Sequence, residues 1–158
     1  MIIKWPNMDW NKEYSSLIYQ FDVAATIIEG IGGRIPKTWD GKSFFKQIQN
    51  DEDFGREYLV LSQNAWSCQR AVRFDKWTFI RTYHTGLKDF PNYMLFDYEK
   101  DFHMTTNLSE QHADVRNEAL RMLDEWHWEM MKTSETGIDP IEIVIKEGGP
   151  HHARYELK

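Results

Sequence analysis

Apolar residues along this chain recur with two periods. Between Tyr58 and Leu108 they come in short runs: Tyr58-Leu59-Val60-Leu61-Ser62, then Arg70 to Phe74, then Trp77 to Tyr83, then Leu95-Phe96. β-Branched and aromatic residues fill these runs, and Asp75-Lys76 separates the second from the third by a two-residue turn. The pattern predicts a small antiparallel meander whose register is set by local turns. Residues 63–68 form the Trp-bearing loop between the first two runs. Past the meander, a loop with capping chemistry over 109–114 leads into Val115, Ala119, Met122, Leu123, Trp126 and Met130 at helical spacing. They predict one long helix, roughly residues 114–132, whose apolar stripe lies on the meander. Pro140 then resets direction, and Ile141-Glu142-Ile143-Val144-Ile145 alternates as an edge strand does.

Upstream, Ile2-Ile3-Lys4-Trp5-Pro6 reads as a short strand that continues something earlier. Phe21, Ala25 and Ile28 predict a helix over 21–29, with Asp22 as N-cap and Gly30 and Gly32-Gly33 ending it. Pro36 and Asp40-Gly41 mark a turn-rich crossing, residues 43–48 add a helical turn, and Asp51-Glu52-Asp53 reads as a solvated loop. The tail from Gly148 to Lys158 is expected to fray, with Tyr155 and Leu157 as its anchors.

Composition narrows the function classes. At 158 residues the chain suits one ordinary domain with a real core. A net charge of −6, from 25 acidic against 19 basic residues, disfavours a nucleic-acid partner. No apolar run approaches the roughly 20 residues of a membrane span, and no charged-then-apolar leader opens the chain, so a soluble, cytoplasmic protein is expected. The single cysteine, Cys68, cannot form an internal disulfide. An aromatic content of 15% points to an aromatic core or to a face that meets carbohydrate or protein.

Candidate chemistry is sparse. His84, His103, His112, His127, His151 and His152 are scattered, and the adjacent pair His151-His152 projects in opposite directions rather than onto one ion. Cys68 sits in no redox motif, and the Gly30 to Gly33 cluster follows a helix instead of leading into one, so it is no phosphate cradle. Asp97, Glu99 and Asp101 alternate at a strand end, where turn formation is the simpler role than acid–base work. From the residues alone the chain reads as an α+β domain without an active site.

A family resemblance adds to this. Leu95-Phe96-Asp97-Tyr98-Glu99-Lys100-Asp101 with Asn107-Leu108, followed by a helix through Trp126, resembles the C-terminal signature of the sulfatases, in the alkaline phosphatase superfamily. Four earlier pieces agree in order: Ile2-Ile3-Lys4-Trp5-Pro6 with a strand after the substrate-binding part; Asp22-Val23-Ala24-Ala25-Thr26 with the helix that begins Asp-Leu-Ala-Pro-Thr; Pro36 and Asp40-Gly41-Lys42-Ser43 with the crossing that follows; and Arg70 to Arg73 with Lys76 to Ile80 as the strand pair. Ala25 stands where the family usually has Pro, Met94 where it often has Glu, and Phe102 where it often has Pro.

The resemblance implies a remnant of the large α/β domain over residues 1–50 and the C-terminal subdomain over 51–158, a sheet of about four antiparallel strands with one long helix. Met1 is then an internal methionine of a longer ancestor or the start of a truncated gene. The family's formylglycine, made in a Cys-x-Pro/Ser/Ala-x-Arg motif, and its calcium ligands precede the position of Ile2, so neither is expected here and the chain is expected to be inactive alone. Cys68, followed by Gln69-Arg70-Ala71, does not fit that motif. Asn64, Trp66, Ser67, Arg70 and His84 are the candidate substrate-contacting residues, since Arg and Trp suit sulfated sugars or small molecules. Arg70 paired with an acid, and Trp66 covering core, is the competing structural reading. Two alternatives stay open: a non-catalytic module that self-associates, and one half of a split sulfatase whose N-terminal half is a separate chain.

Overall fold

The computed structural model describes residues 1–8 and 11–150, and the chain forms two compact units, Met1–Glu57 and one beginning at Tyr58. The sequence placed its junction after residue 50. The expected tail anchors Tyr155 and Leu157, and the pair His151-His152, lie outside the described residues.

The first unit holds two helices, α1 (Gln20–Gly30) and α2 (Phe45–Asn50). The predicted strand at Ile2-Ile3 does not form. A lone strand leaves its backbone groups without a ladder, and the described residues of this unit contain no other strand to supply one. Trp5 packs instead on Phe45, with ring centroids 5.2 Å apart, and on Gly30, where a Cβ would stand 2.3 Å from the indole. Asp22 is not the N-cap of α1. Tyr19 holds that place, and Asp22, in the first turn, accepts the Tyr19 amide through Oδ2 at 2.8 Å.

The second unit is a four-stranded sheet in sequential order: β1 (Tyr58–Gln63), β2 (Cys68–Phe74), β3 (Trp77–His84) and β4 (Tyr93–Asp97), each antiparallel to the next. The tight turn falls at Asp75-Lys76 as predicted, with Asp75 in the left-handed region at φ 41°. Side-chain alternation puts two rows on one face, Tyr58–Phe74–Trp77–Asp97 and Val60–Val72–Phe79–Leu95. Against that face lies α3 (Ala113–Thr133). Its Ala119, Met122 and Leu123 join Val60, Val72, Phe74, Trp77, Phe79 and Leu95 in one buried cluster, with Trp126 partly buried beside it. Full burial of such side chains stabilises by about 1.5–3 kcal/mol each. The stripe stops short of its predicted end, since Met130 is 39% exposed.

Residues 141–145 are not an edge strand. They belong to α4 (Pro140–Lys146). Alternating isoleucines fit either period over so short a stretch, and the cap decides: Asp139 Oδ1 accepts the Ile141 amide at 2.9 Å and Pro140 takes the first helical turn, where its missing N–H costs nothing. No helix among the described residues is long and apolar enough to cross a membrane.

Candidate functional site

The signature segment is where sequence pattern and geometry meet most closely. Asp97 ends β4 with its carboxylate buried, accepting the Lys100 amide at 3.2 Å, and Lys76 Nζ stands 3.5 Å away. Burial opposes its charge, but the amide and the lysines outweigh that and hold the carboxyl below its ordinary range. Asp101 accepts the amides of Thr106 and Thr105 and the Thr105 hydroxyl, at 2.8, 2.7 and 3.0 Å, which lowers its pKa as well. Carboxylates held ionised in this way shape a turn and have no proton to give at neutral pH.

Asn107 then ties the turn to the sheet: Oδ1 accepts the Leu95 and Ser109 amides at 3.0 Å each, and Nδ2 donates to the Tyr93 carbonyl at 3.0 Å. The Leu108 amide continues the ladder to the Leu95 carbonyl at 2.8 Å. Asn107→Ala is expected to cost about 1–3 kcal/mol of unfolding free energy, because the Leu95 amide loses its partner; urea titration of the purified chain measures it.

The other resembling residues also build scaffold. Asp22 gathers the Lys42 amide at 2.7 Å and Arg56 through both Nε and Nη2, at 2.9 and 2.6 Å. Arg56 also reaches the Asp40 carbonyl and lies over the Tyr19 ring. Thr26 Oγ1 donates to the Asp22 carbonyl and accepts the Phe44 amide, while Gly41 passes so close to Phe21 that a Cβ would stand 2.4 Å from its carbonyl oxygen.

Of the five candidate residues, Asn64, Trp66 and Ser67 share the β1–β2 loop, and His84 ends β3 in register with Cys68. Ser67 is fully buried, bonded to Gln63 and Gln69 in a network that continues to Thr82. Asn64 Oδ1 is buried without a hydrogen-bond partner. Trp66 is 54% exposed, and its carbonyl oxygen approaches Gly86, where a Cβ would be 2.0 Å away. His84 Nδ1 accepts the Gly86 amide at 3.0 Å, which puts the proton of the neutral ring on Nε2. Gly149 packs on the same imidazole. The loop residues and His84 thus collect at one end of the sheet.

Arg70 is occupied elsewhere. It lies on the α3 side, buried, with Nη1 and Nη2 on the Asp139 carboxylate at 2.7 and 2.6 Å and its guanidinium between Trp126 and Tyr83. Burial would raise the Asp139 pKa, but Arg70 and the Ile141 amide bring it below the usual value. Arg70, for its part, is held protonated by Asp139 against the cost of its own burial. His127 Nε2 is 2.9 Å from Asp139 Oδ2 yet outside hydrogen-bonding direction. The Asp139 partner, 69 residues away, has no local sequence signal beyond its capping position before Pro140.

Among the described residues no three His, Cys, Asp or Glu side chains are grouped to hold a metal ion. Cys68 is fully buried within β2. Cys68 is followed by Gln69-Arg70-Ala71, which is not the family's formylglycine motif.

No protein-family model matches the chain, and no curated protein matches it in sequence. In fold it is similar to sulfatase structures. It superposes on BT4656, solved in complex with its substrate D-glucosamine-2-N,6-O-disulfate, with a TM-score of 0.58 and 16% identity, over 72% of this chain and 24% of that one. With yidJ of Bacteroides fragilis, described as a candidate sulfatase, the TM-score is 0.50 and the identity 21%, over 66% of this chain and 23% of the other. A Bacteroides thetaiotaomicron protein from glycosaminoglycan metabolism, BT33494S-sulf, gives 0.50 and 18%, over 62% and 24%. The chain spans about a quarter of the length of the structures it matches. What it shares with them is the α+β fold of a sulfatase C-terminal subdomain, a four-stranded antiparallel sheet with a long packed helix.

Proposed function

We propose that this chain, folded as a sulfatase C-terminal subdomain, is the C-terminal portion of a sulfuric ester hydrolase whose formylglycine and calcium site lies in other polypeptide. One observation carries the reading. The residues that resemble the family signature, Asp97 to Leu108, are the ones that fasten β4 to the segment entering α3, so motif and fold agree at the level of individual hydrogen bonds. Residues 1–50 are in this reading the edge of the large α/β domain. The 64–67 loop and His84 border the substrate cleft, where Trp66 offers a ring face and His84 Nε2 a donor to a sulfated sugar or small molecule. Arg70, the fifth candidate, is paired with Asp139 at the start of α4.

The test is purification from the source cells with any linked or tightly bound polypeptide, peptide mapping for a formylglycine, and assay on 4-nitrophenyl sulfate. The reading expects a formylglycine peptide together with turnover. An assembly lacking both contradicts it. In the active assembly, Trp66→Ala is expected to lower kcat/KM for D-glucosamine-2-N,6-O-disulfate about 2- to 10-fold, the range of an aromatic contact worth ~0.5–1.5 kcal/mol, with the melting temperature unchanged. A second reading, a self-associating module without catalysis, is favoured by the apolar row Leu61–Ala71–Ile80–Met94 on the sheet face opposite α3, in which Leu61 is half exposed. Light scattering of a dimer with no sulfatase partner would support it.

A further inference from the structure

Charge is unevenly placed along this chain. Residues 31–50 carry four cations, Arg34, Lys37, Lys42 and Lys46, against one acid, Asp40, a net charge of +3; with −6 for the whole chain, the remainder sums to −9. The basic stretch is pinned at both ends. The Gly33 amide donates to the Ile28 carbonyl at 2.8 Å as α1 finishes, and further on the Lys42 amide donates to Asp22 at 2.7 Å while Arg56 holds the Asp40 carbonyl at 2.8 Å. Between these anchors the Trp39 amide donates to the Pro36 carbonyl at 3.1 Å, closing a turn. Such a turn brings its first and last α-carbons within about 7 Å. Chain length then keeps the α-carbon of Arg34 within about 7 Å of Pro36 and that of Lys42 within about 11 Å of Trp39. Arg34, Lys37 and Lys42 are exposed, and among the described residues none of the three side chains has an ion-pair partner. Trp39, in their midst, is 45% exposed.

We propose that the Arg34–Lys42 loop binds a sulfated polysaccharide chain, with Trp39 under one sugar ring and Arg34, Lys37 and Lys42 on the sulfates around it. The surface needs no catalytic centre, so it stands apart from the function proposed above. Unpaired cations are costly to bury, which keeps this loop in water and free to meet anions there. An indole offers a flat apolar face to a pyranose ring, and a guanidinium meets a sulfate through paired N–H donors, which an ammonium cannot do. Cations lie on both sides of the tryptophan in sequence, as a polymer with an anion on successive sugars requires. Two other polyanions fit less well. Single-stranded nucleic acid stacks successive bases on several aromatic rings, and this loop offers one. Recruitment to an anionic membrane draws on clusters of about 4–8 Lys and Arg beside an apolar helix or anchor. Here there are three unpaired cations on a loop, since Lys46 stands 3.5 Å from Glu29.

The test is binding of the full chain to immobilised chondroitin sulfate, with dextran as the uncharged polysaccharide, at about 50 mM NaCl, where surface charges are weakly screened. Binding to chondroitin sulfate and not to dextran is expected, with release as NaCl rises to about 0.5 M. The triple variant Arg34→Ala/Lys37→Ala/Lys42→Ala is expected to raise the dissociation constant about tenfold or more, with the melting temperature unchanged because the three side chains hold nothing in the fold. Lys88→Ala/Lys100→Ala/Lys146→Ala removes the same charge from exposed positions of the other unit and is expected to stay within about twofold of the original chain. Trp39→Ala is expected to weaken binding about three- to tenfold, and Trp39→Phe to restore most of it. The proposal is overturned by no binding, by equal binding to dextran, by equal losses in the two triple variants, by an unchanged Trp39→Ala, or by tighter binding to single-stranded DNA or to phosphatidylserine vesicles than to chondroitin sulfate.

Discussion

Arg70→Met is expected to destabilise the sheet-and-helix unit by about 3–5 kcal/mol, a large fraction of the ~5–15 kcal/mol that holds a typical domain together. The cause is what remains. Asp139 keeps a buried carboxylate with its main counter-charge gone, beside a His127 that lies off hydrogen-bonding direction, and the Trp126 and Tyr83 rings lose the guanidinium between them. Urea unfolding followed by tryptophan fluorescence measures the loss. The double variant Arg70→Met/Asp139→Leu is expected to recover most of it, leaving a deficit of about 1 kcal/mol for the missing cap on α4. If the double variant is as unstable as the single one, the buried-charge explanation is wrong and packing around the rings carries the effect.

Asp22→Ala is expected to be nearly as costly, about 3–5 kcal/mol, but in the other unit. It removes the acceptor for the Tyr19 and Lys42 amides and leaves Arg56, 18% exposed, without its carboxylate. Hydrogen exchange reports this locally: α1 amides are expected to exchange far faster in the variant while those of β2 and β3 keep their protection. The pH dependence has a definite sign. Burial opposes the charge on Asp22, but Arg56 and the two amides lower its pKa below the unfolded value, and Asp139 is lowered in the same direction. Both groups therefore contribute stability above a pH of about 4, where the unfolded chain is ionised, and lose it as pH falls through their folded values. Acid titration of the melting temperature is expected to show a steep loss below pH 4 that is shallower in the Asp22→Ala variant.

The meander and α3 were legible because their signals are local: alternation, a two-residue turn, a stripe of six apolar positions. The rest was legible only in part. Ile141, Ile143 and Ile145 alternate as a strand does, and what makes them helical is Asp139, fixed by Arg70 from a position 69 residues earlier. Ile2-Ile3 has the composition of a strand, but pairing is not a property of one segment. Asp22 has the residue type and place of a helix cap and does serve the N-terminus of α1, but its longer reach, to Lys42 and Arg56, has no periodicity to betray it. Trp66 and His84 stand at the end of the sheet where a cleft wall is proposed, while Ser67 is buried in a side-chain network and Arg70 is consumed by an ion pair. The family signature, for its part, is explained by turn geometry: Asp97, Asp101 and Asn107 each hold backbone amides.

That distribution of roles leads to the most direct measurement. The purified chain, alone, is assayed on 4-nitrophenyl sulfate with calcium added. No hydrolysis above the buffer rate is the predicted result, because in the proposed reading the formylglycine and calcium site lies in other polypeptide. Turnover that co-purifies with the chain and disappears in Cys68→Ala would contradict the account.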